Sequence, residues 1–286
     1  MYDALIIGRG PAGLSAALYL CRANLRAAVV GKDGGALEKV EKLENYFGFE
    51  APNDGRRLLE AGARQAKALG AALIDGEVVD LTWDGVFTAT LQQGETLSAK
   101  AVILATGAAR VAPPIPGVRE FEGRGVSYCA VCDAFFYKGR PVAVLGASEY
   151  ALHEAQHLLP VAGSVTLLTN GAPLTAQFPA AVAVIDSKIE AITGAETVTG
   201  ARFADGSAAA FEGLFIALGT AGGKELGAKL GAMSEGNYLS VGADMATTVP
   251  GLFAAGDCIG GVLQVSTAVG EGAKAALSAI QFIRKN

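Results

Sequence analysis

With 286 residues, 51% of them hydrophobic, the chain is long enough to bury a large core and to form one big or two moderate domains. A formal charge of -5 and an isoelectric point near 5.2, with no dense Lys/Arg stripe interleaved with aromatics, exclude nucleic acid as the main partner. Mean hydropathy is +0.36, yet every apolar run of spanning length is broken by a charge, a proline or a glycine cluster, which argues against a membrane segment.

The opening Met1-Tyr-Asp-Ala-Leu-Ile-Ile-Gly8 has an acid at position 3 and lacks the basic region and cleavage site of a signal peptide, so a cytoplasmic protein is expected. Ala4 to Ile7 reads as a short buried strand. Gly8-Arg-Gly10-Pro11-Ala12-Gly13 follows, then an apolar-periodic helix from Leu14 to Arg22. Glycines at this spacing permit a tight turn, close approach of backbone to a pyrophosphate, and packing of helix on strand, with the phosphate at the helix N-terminus. Ala27 to Val30 is the expected second strand. An acid often follows there to hold an adenosine ribose; Gly31-Lys32-Asp33 makes Asp33 an imperfect candidate.

Gly34-Gly35-Ala-Leu37 and Leu43-Glu-Asn45-Tyr-Phe-Gly48 read as irregular, with Asn45 as a turn residue whose amide is also suited to a ring system. Gly55 to Leu69 is an amphipathic helix with Arg56, Arg57, Arg64 and Lys67 outward, a solvated face or a docking surface for an acidic partner. Strands are expected at Glu77 to Asp80, Val86 to Thr90 and Ala101 to Ala105, the last ending in Thr106-Gly107-Ala108, where strand-end glycine places backbone next to a ligand. Pro113-Pro-Ile-Pro-Gly117 is the clearest linker.

Beyond the linker lies Ser127-Tyr-Cys129-Ala-Val-Cys132-Asp133-Ala-Phe-Phe-Tyr137. Two thiols separated by two residues can close a small disulfide ring, and a helix starting beneath them favours the thiolate that exchanges with other disulfides. Competing readings are a half zinc site, a structural disulfide and two buried thiols. Zinc needs a second ligand pair, but Cys21 and Cys258 are single cysteines far away in sequence, and His153 and His157 lie on an expected helix without cysteine neighbours. Four cysteines in a reducing compartment are not a disulfide framework, which favours a redox pair. Cys21 reads as core and Cys258 as a small buried filler.

A second strand-turn-helix unit then begins: strand Val142 to Leu145, turn Gly146-Ala-Ser-Glu-Tyr-Ala151, helix Leu152 to Leu159. Ser148 stands where glycine lets a pyrophosphate approach, and Glu149 adds a negative charge beside it. Strand Ser164 to Leu168 ends in Thr169-Asn-Gly171, and no Lys or Arg occurs from Pro141 to Ser187, so the cationic forks that a 2'-phosphate needs are absent. Near the C-terminus, Thr247 to Asp257 is a strand ending in Gly256-Asp257, and Gln264 to Gly272 opens the final helix. The carboxylate there suits a ribityl hydroxyl, and the helix N-terminus suits the electron-rich end of a flavin ring.

Gly8-x-Gly10-Pro-Ala-Gly13, Ala105-Thr-Gly-Ala108, Gly123-Arg-Gly-Val-Ser-x-Cys129-Ala-x-Cys132-Asp-x-Phe-Phe-Tyr137 and Pro250-Gly-x-Phe-Ala-Ala-Gly-Asp257 together resemble the low-molecular-weight thioredoxin reductases, in order and over nearly the whole chain. The resemblance implies an α/β protein of two Rossmann-like, three-layer nucleotide-binding-type domains, the second inserted in the first. The FAD domain would be 1–114 with 247–286, and the inserted NAD(P)H-type domain 115–246 would carry the redox pair. It also implies FAD, thioredoxin as substrate and a homodimer. By position, Cys132 would face the flavin, Cys129 would exchange with the thioredoxin disulfide, and Asp133 would be the acid/base. Gly8, Gly10, Pro11, Ala12, Gly13, Gly35, Asn45, Val79, Thr106, Gly107, Gly256, Asp257 and Gln264 match FAD-contact positions.

Members that use NADPH carry a glycine-rich turn at 146–151 and a His-Arg-Arg stretch at 169–171; this chain carries neither. Leu263 replaces the usual Arg in Gly260-Gly-Val-Leu-Gln-Val-Ser-Thr, a segment more similar to the ferredoxin-dependent flavin thioredoxin reductases of anaerobes. That branch implies ferredoxin, or another low-potential donor, as the source of electrons. The alternatives are an NADPH-dependent reductase with an atypical nucleotide site, a flavin dithiol oxidase using oxygen, which tends to have His where Asp133 stands, and a flavin-loaded regulatory protein.

Overall fold

The computed structural model describes residues 1–48, 54–107, 112–219 and 221–286; Ala108, part of one motif above, lies outside them. The apolar run Ala4 to Ile7 is buried throughout as the end of strand β1 (Tyr2–Ile7). Helix α1 (Pro11–Arg22) begins three residues earlier than the periodicity predicts, because proline at its first position already has the helical φ. The chain continues through β2 (Ala27–Gly31), α2 (Gly55–Ala68), β3 (Ala72–Asp75), β4 (Val78–Trp83), β5 (Phe87–Leu91) and β6 (Thr96–Leu104).

The next elements are β7 (Val126–Ser127), the single turn α3 (Ala130–Asp133), β8 (Pro141–Leu145), α4 (Glu149–Leu158), β9 (Ser164–Leu168), β10 (Val182–Ile185), β11 (Ile189–Gly194), β12 (Val198–Phe203), β13 (Ala208–Ala210) and β14 (Gly213–Ile216). The return comprises α5 (Gly223–Lys229), β15 (Ser234–Glu235), β16 (Tyr238–Leu239), β17 (Leu252–Ala254) and α6 (Val265–Lys285).

These elements form two compact units, 1–109 with 222–286, and 110–221. In the first, the sheet order is β3-β2-β1-β6-β5-β4, with β17 also pairing β6. Strands β3, β2, β1, β6 and β17 are mutually parallel, as sheets buried on both faces usually are, whereas β5 and β4 add antiparallel to the edge. In the second, the order β10-β9-β8-β14-β7 is parallel throughout, and β11-β12-β13 form a separate antiparallel layer. The α/β class with one Rossmann-like unit set inside another is thus the observed architecture.

The expected inner boundaries at 114/115 and 246/247 fall instead at 109/110 and 221/222. The reason is packing of residues 222–246. The Lys229 side chain of α5 is almost fully buried against Asp80 of β4, with Nζ 3.2 Å from the carboxylate. At Gly223 an added Cβ would press on Thr106 and Cys258, and at Gly227 on Leu239, so α5 lies flush on the first unit. Among the described residues no helix is long and apolar enough to cross a membrane.

Candidate active site

In the first unit the parallel strands deliver their C-terminal ends to one place. Gly8 N–H donates to Val30 O, Ala105 N–H to Ile7 O and Ala255 N–H to Leu104 O, which sets the ends of β1, β6 and β17 side by side. Gly8 has φ +120, and a Cβ there would overlap Ala105 O; one at Gly13 would overlap Gly8 O. These two glycines are required by packing. Gly10, the N-cap of α1, has nothing within 4 Å of where a Cβ would be, and no side chain caps the helix. The turn therefore presents open space and unsatisfied amides at a helix N-terminus, the environment a pyrophosphate needs.

Other expected residues converge there. Ala12 faces Gly256, whose added Cβ would lie 3.0 Å from the Ala12 side chain. Thr106 Oγ1 is buried without a hydrogen-bond partner, and neighbouring Gly107, at φ +81, also looks onto open space. Asp257 is half-buried, and burial pushes its carboxyl pKa up. The backbone of Gly256 donates to Glu271 Oε2 at 2.9 Å, fixing the strand end to α6. Asn45 Nδ2 donates to Gln264 Oε1 at 2.8 Å, and Gln264 is the N-cap of α6.

Gly35, at φ +67, opens a one-turn 3-10 segment, and its amide is held by Asp33 Oδ1; both line a cleft of about 500 Å³ with Glu38, Lys39, Glu41 and Arg56. Val79 lies on β4, and Lys229 Nζ approaches its carbonyl at 3.5 Å. The open Gly10 turn, the unpartnered Thr106 hydroxyl and the uncapped N-terminus of α6 fit a dinucleotide cofactor.

In the second unit Cys129 and Cys132 are joined as a disulfide, Cys129 as N-cap of α3 and Cys132 within it. Cys132 N–H donates to Cys129 Sγ at 3.2 Å, so the helix end already points a donor at that sulfur. Ser127 Oγ donates to Asp133 Oδ2 at 2.6 Å and accepts from Cys129 N–H at 3.1 Å, which places Asp133 one hydroxyl away from the pair. Burial first, and the Asp133 charge second, push the Tyr137 phenol pKa up. Cys129 is buried at 7% exposure and Cys132 is exposed, beside Phe135 and Phe136 at 78% and 69%.

The turn after β8 is engaged by protein. Ala147 O accepts from both the backbone N–H and the hydroxyl of Thr175, at 2.9 and 3.2 Å, so the loop after β9 crosses it. Ser148 Oγ is buried without a partner, and Glu149 opens α4. Asn170, at φ 54, accepts from Ile189 N–H, and Thr169 Oγ1, like Ser148 Oγ, is buried without a hydrogen-bond partner.

Residues 2–272 match the family model described as pyridine nucleotide-disulphide oxidoreductase. The chain belongs to that family. Within it, a thioredoxin reductase of Aquifex aeolicus is 36% identical over 99% of this chain and 94% of its own length, and one of Bacillus subtilis is 33% identical over 100% and 96%. The solved atypical thioredoxin reductase of Desulfovibrio vulgaris Hildenborough is 41% identical, with a TM-score of 0.91 over 100% of this chain and 99% of its own. A ferredoxin-flavin thioredoxin reductase of Clostridium acetobutylicum is 30% identical, with a TM-score of 0.72 over 100% and 99%. The protein is thus a disulfide oxidoreductase of the thioredoxin reductase type.

Sequence reasoning missed two members of this oxidoreductase's redox motif. Ser127 stands in the sequence only as the motif's first residue. Glu154, on α4, is 1% exposed and its Oε2 accepts from Ala130 N–H at 2.6 Å. A lone glutamate on an amphipathic helix carries no sequence signal of burial; the even spacing of Tyr150, Glu154 and Leu158 on one face is the trace it leaves.

Proposed function

We propose that the chain is an FAD-dependent thioredoxin-disulfide reductase that takes electrons from reduced ferredoxin, or a similar low-potential donor, rather than from NADPH. The observation that carries the choice of donor is the turn 146–149, where Thr175 is bonded across Ala147 and Glu149 stands at the helix start, in a stretch without any Lys or Arg from Pro141 to Ser187. Anionic phosphates meet a carboxylate there and no cation. Similarity to a ferredoxin-flavin thioredoxin reductase supports the same reading.

FAD would be held by Gly8, Gly10, Pro11, Ala12 and Gly13 at the pyrophosphate and by Thr106, Gly107, Asp257 and Gln264 toward the ring, and when bound it supplies a two-electron store that fills one electron at a time. The protein's own work is thiol chemistry. In the reduced pair, Cys129 thiolate attacks a sulfur of the thioredoxin disulfide, and one thioredoxin thiolate leaves. Cys132 then attacks the Cys129 sulfur, re-forming the intramolecular disulfide and releasing thioredoxin with the electron pair. Asp133 Oδ2, bonded to Ser127 Oγ, is placed to take and return the proton of the motif's thiols. Exposed Phe135 and Phe136 give the substrate protein an apolar surface beside the pair.

The test is anaerobic flavin absorbance with NADPH, NADH and reduced ferredoxin as separate donors, followed by thioredoxin thiol release. Bleaching by ferredoxin alone is expected. Prompt bleaching by NADPH overturns the donor assignment while leaving a thioredoxin reductase, and oxygen uptake driven by a small dithiol in place of thioredoxin turnover indicates an oxidase.

A further inference from the structure

The redox motif is held by two carboxylates. Asp133 reaches it through the Ser127 hydroxyl. Glu154 reaches it from the second turn of α4, and its Oε2 takes the amide hydrogen of Ala130, the first residue of the helix that Cys129 caps. Cys129 Sγ receives a hydrogen bond from Cys132 N–H, while the amide next to Cys129 is committed to Glu154. Negative charge carried by this carboxylate, 1% exposed at that helix end, opposes negative charge developing on the adjoining sulfur.

We propose that Glu154 is a positioning residue of the redox motif, which fixes the Ala130 amide and sets the pH at which the reduced Cys129 sulfur becomes an anion. The proposal rests on the exchange role assigned above to Cys129, but not on the donor or on thioredoxin. The groups around this point are Asp133 on α3, Tyr137 after it, Ser127 before it and Tyr150 on α4, which donates its hydroxyl to Tyr128 O, whereas the rings of His153 and His157 on α4 pack against each other at 4.6 Å. Of these, Glu154 makes the direct bond to the motif's first helical amide.

The chemistry at stake is one step. Cys129 thiolate forms a bond to one sulfur of an external disulfide, that S–S bond breaks, and the second sulfur leaves with the bonding pair and takes a proton from water. Only the anion attacks, so the proton affinity of Cys129 fixes the pH profile of the step.

The experiment uses full-length holoprotein carrying Cys132→Ser, which leaves Cys129 without an internal partner, and follows thiolate absorbance at 240 nm against pH. Burial pushes Cys21 up and Cys258 up to about 12, and the step that disappears in a Cys129→Ser, Cys132→Ser double variant is that of Cys129. Glu154→Gln keeps an acceptor for Ala130 N–H and removes the charge; the midpoint is expected to move to lower pH by about half a unit or more, a threefold or greater rise in thiolate at a fixed pH below it. Glu154→Leu is expected to move it in the same direction and to blunt the step. A Glu154→Gln titration superimposed on that of the parent overturns the proposal, as does a shift confined to Glu154→Leu, which would assign the effect to the hydrogen bond alone. Because no donor or thioredoxin is present, failure here leaves the proposed reductase activity standing, and failure of that activity leaves this titration readable.

Discussion

Asn45 Nδ2 donates to Gln264 Oε1 at 2.8 Å, joining residues 219 positions apart and tying the irregular segment before Gly48 to the N-terminus of α6. Neither amide is needed to build a strand or helix. Asn45→Ala removes the tie and leaves Gln264 to water. A net loss of about 1 kcal/mol corresponds to roughly fivefold weaker flavin retention, measurable by release of free-flavin fluorescence on dilution.

The glycines of the first turn separate into two kinds. Gly13→Ala drives a methyl into Gly8 O and is expected to destabilise the fold by roughly 1–3 kcal/mol. Gly10→Ala meets no protein atom within 4 Å, so apoprotein melting is expected to stay near that of the parent while the yellow colour is lost. Thermal melts and the visible spectrum of both variants check the division; equal flavin loss with equal destabilisation would contradict it.

Cys132 is exposed and Cys129 buried, yet exchange is assigned to Cys129. Two readouts on single-cysteine variants separate access from role. Cys129→Ser, which leaves Cys132, is expected to react faster with a maleimide. Cys132→Ser, which leaves Cys129, is expected to trap thioredoxin as a mixed disulfide on a non-reducing gel. Trapping by Cys132 instead reverses the assignment of the two sulfurs.

Burial pushes the carboxyl pKa values of both Asp257 and Glu271 up, Glu271 also under the influence of Asp257. A raised acid favours the folded state while protonated. That contribution is complete below the ordinary carboxylate range and is lost as pH rises through the raised values. The flavin-free protein is therefore expected to lose thermal stability as pH climbs above about 4, and Asp257→Asn to flatten the slope. A parent-like slope in that variant would assign the effect elsewhere.

On α2, Arg57 lies 3.8 Å from Asp54 and Arg64 lies 3.7 Å from Glu60, so part of the basic face is already compensated. Arg56 and Lys67 carry the remainder. Arg56→Glu with Lys67→Glu is expected to slow reduction by ferredoxin several-fold at low salt, less at high salt, and to leave reduction by dithionite unchanged. Equal slowing with both reductants removes α2 as the docking face.

The sequence made the parallel-strand layers and both turns legible because glycine spacing and apolar runs are local. It also located the cysteine pair, whose spacing is itself the chemistry. The return of residues 222–246 to the first unit was not legible: it depends on Lys229 burying its charge against Asp80, a match 149 positions apart that no local pattern announces. Asn45 reads as a turn residue, and Glu154 goes unread, for the same reason. Their partners, Gln264 and the Ala130 amide, are chosen by tertiary packing.

Helices α1 and α6 cross where Gly272 has no side chain, since a Cβ there would overlap Ala12 O, and Ser15 Oγ donates to Val269 O at 2.7 Å. The consequence lies in the order of synthesis. The first nucleotide-type turn to leave the ribosome lacks its α6 contacts until that helix follows it, whereas residues 110–221 form their compact unit from one unbroken run of chain. The inner unit can therefore mature first, and cofactor capture waits for the last helix.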